Sequence, residues 1–428
     1  MFWLIESQEQ FEEFKYHIGR EVFAVPVERH PEIHPGIYSP LGLYIRNVDQ
    51  NQDRGYFINF YHPEALKFDP SQVKDLLSGL EKVYTPDKKA FNYFYFGNNV
   101  LDVGIGNQVE VKKNQTLQYF SQKFYSDENL NSIIPIVKHF EQCEELFNQY
   151  KPIIEKYEYN QYKQDISDVF WFIERNGLKV NSAFERYFEL ERPFLNRYNE
   201  WVFSQYNLNT LTGRPSNAFN TINFAALNKE NGCRSVFIPR NDFLLEIDLT
   251  AYHPTLISQL VGYESKTGDI YEDFAEQFEM ERSEAKNLVF RQLYGNIYDQ
   301  YKDFEFFKLT KEFIADVWKD FMADGEFEGF MSGQVFKAKD LENMNPQKLF
   351  NYLIQNLETA NNVELLKDIL YIINSTKTEL ILYTYDAFLF DFSKKDKETL
   401  KSILAIFEEK KLRVKLTYGT DYDSARPL

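Results

Sequence analysis

Short runs in which apolar and polar residues alternate mark strands, and apolar residues recurring every three to four positions mark one-sided helices. By that reading FWLI at 2–5 and VFAVPV at 22–27 are strands, and residues 9–18 form a helix between them. LGLYIRN and GYFINF form a hairpin about the polar turn VDQNQDRG, and the Gly- and Asn-dense stretch GNNVLDVGIGNQVEVKKNQ at 97–115 leads out of this α/β region. Helical periodicity dominates 116–205, in SIIPIVKHFEQCEELFNQYKPIIEKY and in DISDVFWFIERNG, which Gly177 closes as a C-terminal cap. A loop-like segment crowded with Asn and Thr, NLNTLTGRPSNAFNTINFAALNKENG, then leads to a strand, LLEIDLT, at 244–250. Helices are predicted at 269–294, 309–322, 347–361 and 363–373. TELILYTYDAFLFDF at 378–392 predicts two strands about a turn at Tyr385, Asp386 and Ala387, followed by the helix KETLKSILAIFEEK and a last strand, LRVKLTYG, at 412–419.

Composition narrows the function classes. A chain of 428 residues and 51.0 kDa, 43% hydrophobic and 17% aromatic, is a folded protein of about two to four domains. Its net charge of −17 excludes a global positive field, so any phosphate-bearing partner must be met by local basic patches. That disfavours a protein coating nucleic acid and leaves open an enzyme that grips a duplex in one cleft. Two cysteines, Cys143 and Cys233, and six histidines without ligand spacing support neither a disulfide scaffold nor a Cys/His zinc site. Glu6, Glu9, Glu12 and Glu13 interrupt the apolar core a signal peptide needs, and no uncharged 18-residue apolar run occurs, so a cytoplasmic protein with no membrane partner is expected.

Candidate chemistry begins with two aspartates. Asp248 ends an apolar strand, and Asp386 sits inside the apolar run ILYTYDAFLF. A carboxylate in such surroundings is costly to desolvate unless it is paired or metal-bound, and two of them in one sheet suit a pair of divalent cations that stabilise both oxygens of an in-line phosphoryl transfer. Each aspartate alone reads equally well as a solvent-facing turn residue. In RSEAKNLVFRQLYG, Arg282, Lys286, Phe290 and Tyr294 recur every four residues and form one slowly winding stripe, cationic at its start and aromatic at its end. That order suits a nucleoside triphosphate lying along the helix; the alternative is a core face of Phe290, Leu293 and Tyr294 with exposed cations. Thr212 and Arg214 flank the flexible Gly213, and Asn220, Asn223 and Arg234 continue a polar lining suited to phosphate or minor-groove contact.

Taken in order, these segments resemble the DNA polymerase I family, family A. TLTGRPS, NTIN and GCRSVFI are similar to its Thr-x-Thr-Gly-Arg-x-Ser stretch, its Asn-bearing loop and its Gly-x-Arg-x-x-Phe segment. LLEIDLTAYHPTLI stands in the place of motif A, RSEAKNLVFRQLYG carries the whole Arg-x-x-x-Lys-x-x-x-Phe-x-x-x-Tyr-Gly pattern of motif B, and TYDAF stands in the place of motif C. FIERNGLKV resembles the helix leading into the thumb, and YGTDYDSA the last strand and tail, so the resemblance spans residues 165–426. It implies α/β and α+β domains: a ribonuclease H-like 3′-5′ exonuclease-type domain at 1–130, a helical thumb and the start of the palm at 131–240, palm at 241–260, fingers at 261–345 and palm again at 346–428. It implies catalysis by Asp248, Asp386 and Lys286, and a metal site of Asp248, Asp386 and Leu249 holding two Mg²⁺ ions, with Mn²⁺ able to substitute. Nucleotide contacts fall to Arg282, Lys286, Phe290, Tyr294, His253 and Leu249. DNA contacts fall to Arg214, Thr212, Asn220, Asn223, Arg234, Gln355 and Tyr385.

The departures matter as well. His253 replaces the motif A glutamate that excludes the ribose 2′-OH, and this stretch looks equally like motif A of family B, where a Tyr fills the place. Tyr385 and Ala387 replace the His and second acid of motif C. Only 33 residues separate Asp248 from Arg282, and 32 separate Val180 from Gly213, which implies short fingers and a short thumb. In the N-terminal region Phe23, Pro26 and Glu28 stand where the exonuclease has Phe-x-x-Asp-x-Glu, and no Tyr-x-x-x-Asp occurs within 1–150, which implies a degenerate domain without proofreading. The expectation is a monomer that extends primed DNA templates with dNTPs, alongside a helicase or other replisome proteins; its small size suits a virus or mobile element acting in a bacterial cytosol. Two alternatives stay open: ribonucleotide incorporation by a primase or single-subunit RNA polymerase, and an inactive DNA-binding accessory protein.

Overall fold

The computed structural model describes residues 2–28, 34–37, 39–48, 54–106, 134–188, 197–218, 221–295 and 297–428. The middle of the predicted hairpin turn and the second half of the predicted exit stretch at 97–115 lie outside them. The chain divides into two compact units. One holds residues 1–177, 188–209 and 217–222, and the other 178–187, 210–216 and 223–428.

The first unit is built on a six-stranded sheet. Its elements are β1 (Phe2–Ile5), α1 (Gln8–His17), β2 (Glu21–Val27), β3 (Gly42–Asn47), β4 (Gly55–Asn59), α2 (Pro70–Ser78), β5 (Lys82–Thr85), α3 (Lys88–Phe91), β6 (Val100–Asp102), α4 (Ile136–Ile154) and α5 (Gln161–Glu174). The strand order is β1-β4-β3-β2-β5-β6, with β3 antiparallel to both β2 and β4, and β5 and β6 continuing parallel to β2. Alternation along the strands gives the sheet two apolar faces. One packs Val22, Ala24, Leu43 and Ile58 against Phe11 and Phe14 of α1 and Val73 and Leu77 of α2. The other packs Phe23, Tyr44 and Phe57 against Phe140, Cys143 and Phe147 of α4. Pro26 is tolerated in β2 because β5 pairs only with Glu21–Phe23, so the proline lies beyond the part of the strand bonded on both sides.

The second unit centres on an antiparallel five-stranded sheet. Its main elements are β7 (Phe243–Leu249), α6 (Tyr252–Val261), α7 (Ile270–Gln277), α8 (Arg282–Tyr294), α9 (Glu305–Asp324), α10 (Pro346–Ile373), β8 (Glu379–Tyr383), β9 (Ala387–Phe392), α11 (Lys397–Glu409), β10 (Val414–Gly419) and β11 (Arg426–Pro427). The strand order is β8-β9-β7-β10-β11. On β7 the side chains of Leu245, Ile247 and Leu249 share one buried face, while Leu244, Glu246 and Asp248 share the other. Phe388, paired with Ile247, stacks on Phe407, so α11 covers the apolar face and Asp248 points to the opposite side.

Two helical expectations change. The region 269–294 is two helices, α7 and α8, and 347–373 is one 28-residue helix, α10, instead of two. The Asn361–Asn362 pair reads as a break in sequence, yet Asn362 is buried and bonded on both sides of its amide. Its Oδ1 accepts the Tyr252 hydroxyl (2.8 Å), and its Nδ2 donates to the Tyr383 hydroxyl (3.0 Å) and the Tyr385 carbonyl (2.8 Å). Tertiary hydrogen bonds thus hold a poor helix former inside the helix.

In the first unit α3 is pinned to α5 by a buried ion pair, Lys89 Nζ donating to both oxygens of Glu174 at 2.6 and 2.9 Å, with the Tyr206 amide also donating to Glu174. Removing one partner strands a buried charge. Lys89→Met is expected to destabilise this unit by about 3–5 kcal/mol, and Lys89→Met with Glu174→Leu to recover much of the loss. Chemical denaturation of both variants measures this; equal stability of Lys89→Met and the unmodified chain contradicts it.

Candidate active site

The register of three strands places the carboxylates. Asp248 pairs across β7 and β9 with Ala387, the residue after Asp386, and the Leu249 amide donates to the Asp386 carbonyl at 2.7 Å. Asp248 and Asp386 therefore stand side by side at neighbouring strand ends. The Asp248 carboxyl is pushed up to about 6, first by burial and then by the like charges of Asp386 and Glu246, against the opposing pull of Lys229 and Lys415. Asp386 is exposed at its turn, yet the surrounding protein raises its carboxyl too, Glu358 adding to the rise and Arg214 and His253 offsetting it. Two partly desolvated carboxylates side by side, with Asp386 raising Asp248, form an arrangement that a cation relieves. Oxygen donors in this number suit a hard divalent ion that takes its remaining ligands from water and phosphate. Among the described residues no group of three or more His, Cys, Asp or Glu is placed to hold a metal ion.

The turn carrying Asp386 is tight: the Thr384 amide donates to the Ala387 carbonyl (2.9 Å) and Tyr385 takes φ +70°. A left-handed backbone costs a non-glycine residue about 1 kcal/mol or more, and the surroundings enforce it here. Asn362 donates to the Tyr385 carbonyl, and the Arg214 guanidinium lies 3.8 Å from the centre of the Tyr385 ring. Arg214 is aimed by Gly213, whose φ of +72° and lack of a side chain let the loop pass Gln334 and Asn356; a Cβ there would sit 2.4 Å from the Gln334 Oε1. Asn356 donates to the Thr212 carbonyl at 3.1 Å, fixing the same loop.

Glu358, 1% exposed on α10, is a residue the sequence patterns do not single out. Arg214 Nε stands 2.9 Å from Glu358 Oε2, Arg214 Nη2 donates to Oε1 at 3.2 Å, and His253 Nε2 lies 3.2 Å from Oε2. The other ring nitrogen of His253 bonds the Tyr294 hydroxyl. His253 follows Ala251, itself left-handed at φ +52°, which swings the chain from β7 into α6. Contacts from Arg214 through Glu358 and His253 to Tyr294 thus connect the turn of Asp386 with α8.

On α8 the buried face consists of Ala285, Val289, Gln292 and Leu293. Arg282, Lys286, Phe290 and Tyr294 lie away from it: Lys286 is exposed, Phe290 is 56% exposed, and its ring packs on Tyr294 with centroids 4.7 Å apart. Phe290 is therefore not a core residue. Arg282 is bonded to Asp269, the N-cap of α7, at 2.5 Å, and Arg413 approaches the same carboxylate at 3.6 Å.

The remaining candidates lie in several local settings. Leu249 is buried and contributes the amide that sets the carboxylate register. Asn223 caps the short helix Phe224–Ala226. Arg234 is buried, donates to the Leu227 carbonyl at 3.2 Å and lies over the Tyr422 ring at 4.7 Å. Gln355 is half-buried on α10 and donates to Asn351. Asn220 lies outside the described residues.

No protein-family model matches the sequence, and a search of curated proteins finds no match. Solved structures do match. Aligned with the POL domain of Pol1 from M. smegmatis, determined in complex with DNA primer-template and dNTP, the chain gives a TM-score of 0.71 at 13% identity, covering 99% of this chain and 100% of that one. The chain thus has the mixed α/β fold of a polymerase domain.

The raised Asp248 carboxyl has a consequence for stability. In the unfolded chain an aspartate titrates near 3.8, in the folded chain near 6, so between these values the folded state holds the extra proton and stability falls as pH rises. The penalty is absent below about 4 and complete above about 6. Without divalent cations, Asp248→Asn is expected to stabilise the protein at pH 7 on the order of 1 kcal/mol after solvent screening, with the gain fading toward pH 4. Thermal denaturation across that range measures it; a gain independent of pH contradicts it.

Proposed function

We propose that the chain is a template-directed, primer-dependent DNA polymerase of the family A type. The observation that carries this reading is the side-by-side placement of Asp248 and Asp386 next to a helix stripe of Arg282, Lys286, Phe290 and Tyr294, tied to them through His253. The fold likeness to a polymerase domain solved with primer-template and dNTP supports it. In this reading the β7-centred sheet is the palm and α7 to α9 belong to short fingers, while α4 and α5, expected from sequence in a helical thumb at 131–240, belong to the first unit, with α4 packed on its sheet.

Asp248 and Asp386, with Leu249 beside them, would hold two Mg²⁺ ions, which when bound supply charge neutralisation and Lewis-acid polarisation at the reacting phosphate. Lys286 meets the triphosphate and supports the departing pyrophosphate, and Arg282 joins it by leaving Asp269. Phe290 and Tyr294 offer ring faces to base and sugar, while His253 obstructs the 2′ position. Arg214, Thr212, Asn223, Arg234, Gln355 and Tyr385 line the side assigned to primer and template. No protein nucleophile is needed, because positioning and charge neutralisation carry this transfer.

The first unit fits a degenerate exonuclease-type domain. Its strands β4-β3-β2-β5-β6 have the order and directions of a ribonuclease H-like sheet. Pro26 occupies the central strand where a metal-binding carboxylate belongs, and desolvation raises Glu28 to about 8, which keeps it protonated at neutral pH. Proofreading is therefore assigned no role. No described helix is long and apolar enough to cross a membrane.

Extension of a primed template, with Mg²⁺ or Mn²⁺ and with dNTPs or NTPs in parallel, tests the reading. We expect metal-dependent extension with preference for dNTPs, and losses of at least about a hundredfold for Asp248→Ala and for Asp386→Ala. Preference for NTPs moves the assignment to RNA synthesis, and undiminished extension by either variant removes the two-carboxylate mechanism.

A further inference from the structure

We infer that Glu358 is the positioning residue that sets sugar selection, its buried carboxylate holding His253 against Tyr294 and Arg214 over Tyr385. The inference rests on the polymerase reading of this site. Glu358 comes from α10, an element outside the strand ends and the α8 stripe, and is 1% exposed. A carboxylate so placed needs compensating charge, and here Arg214 Nη2 donates to Oε1, while Arg214 Nε and His253 Nε2 stand 2.9 and 3.2 Å from Oε2 as charge partners that form no hydrogen bond to it.

The chemistry of the partners fixes their orientation. An ionised carboxylate only accepts hydrogen bonds, so the ring nitrogen of His253 facing it carries the proton, and the other nitrogen is left to accept the Tyr294 hydroxyl. The ring is thereby held at both ends. Tyr294 is the last aromatic of the α8 stripe and packs against the exposed Phe290. On the opposite flank the same carboxylate holds the Arg214 guanidinium over Tyr385, the left-handed residue immediately before Asp386. One acid thus couples the position of the stripe's sugar end to the turn that carries a reacting-site carboxylate. Glu358 acts in this arrangement through His253 and Arg214.

Single-nucleotide incorporation by the full chain on a primed template, with a dNTP and the matching NTP, distinguishes positioning from bulk structure. Glu358→Gln keeps size and shape but brings an amide donor against either Arg214 or His253. It is expected to retain a cooperative thermal transition and to change the ratio of kcat/KM for dNTP over NTP by about tenfold or more, with Glu358→Asp restoring part of the ratio. Tyr294→Phe, which removes only the hydroxyl at the far end, is expected to move the ratio in the same direction, and it decides the matter should Glu358→Gln not fold. An unmodified protein that extends primers combined with an unchanged ratio in the variants overturns this inference alone. An unmodified protein that extends with neither nucleotide overturns the polymerase reading and this inference with it.

Discussion

The site depends on one electrostatic constraint: two carboxylates held side by side in a partly desolvated sheet end. Like charges so placed repel, and a flexible chain would separate them. Here the backbone prevents it, because the Leu249 amide donates to the Asp386 carbonyl and fixes the two strand ends in register. The strain appears as a raised Asp248 carboxyl and as a left-handed Tyr385. Both are local costs borne by the wider fold, through the apolar face under β7, the Phe388–Phe407 stack and the Asn362 bonds that clamp the turn.

A chain with net charge −17 has no global positive field, so the placement of its local cations is informative. Arg214 is held by Glu358, Arg282 by Asp269, and Arg240 by Glu379 and Asp391. Each of these arginines is aimed by an acid. Lys286 is instead exposed on α8 beside the aromatic end of the stripe. Acidity and the anion binding proposed for this site are compatible, because the acids position the guanidiniums at particular spots.

Much of this was legible in the sequence. Apolar runs located β7, β8 and β9 to within a residue or two, since strands buried on one or both faces write their pattern directly into the chain. The four-residue recurrence of Arg282, Lys286, Phe290 and Tyr294 located α8, and the exposure of Phe290 takes that ring off the core face, a point that periodicity alone leaves open. Glu358 was not legible. It lies in a helix whose buried residues are mostly apolar, and its meaning comes only from partners such as Arg214, 144 residues away in the chain. The continuity of α10 was hidden for the same reason, because the hydrogen bonds that keep Asn362 helical come from Tyr252, Tyr383 and Tyr385. Local pattern records burial and backbone preference, whereas polar networks are closed by tertiary contact.

Under the proposed polymerase reading, the state of α8 also bears on how a triphosphate would enter. Arg282 is engaged with Asp269, so its recruitment is an exchange of partners and not the capture of an idle charge. Asp269 is well provided for that exchange: its side chain accepts the Tyr271 amide as the cap of α7, and Arg413 stands 3.6 Å away. The carboxylate left behind keeps a donor and a cation, so the exchange avoids the cost of an uncompensated buried charge. At the other end of the helix, Phe290 exposes more than half of its surface beside Tyr294. Covering that ring is favourable by the hydrophobic term alone. A ligand with polyanionic and planar apolar ends therefore gains at both ends of one helix, which is the chemistry of a nucleoside triphosphate.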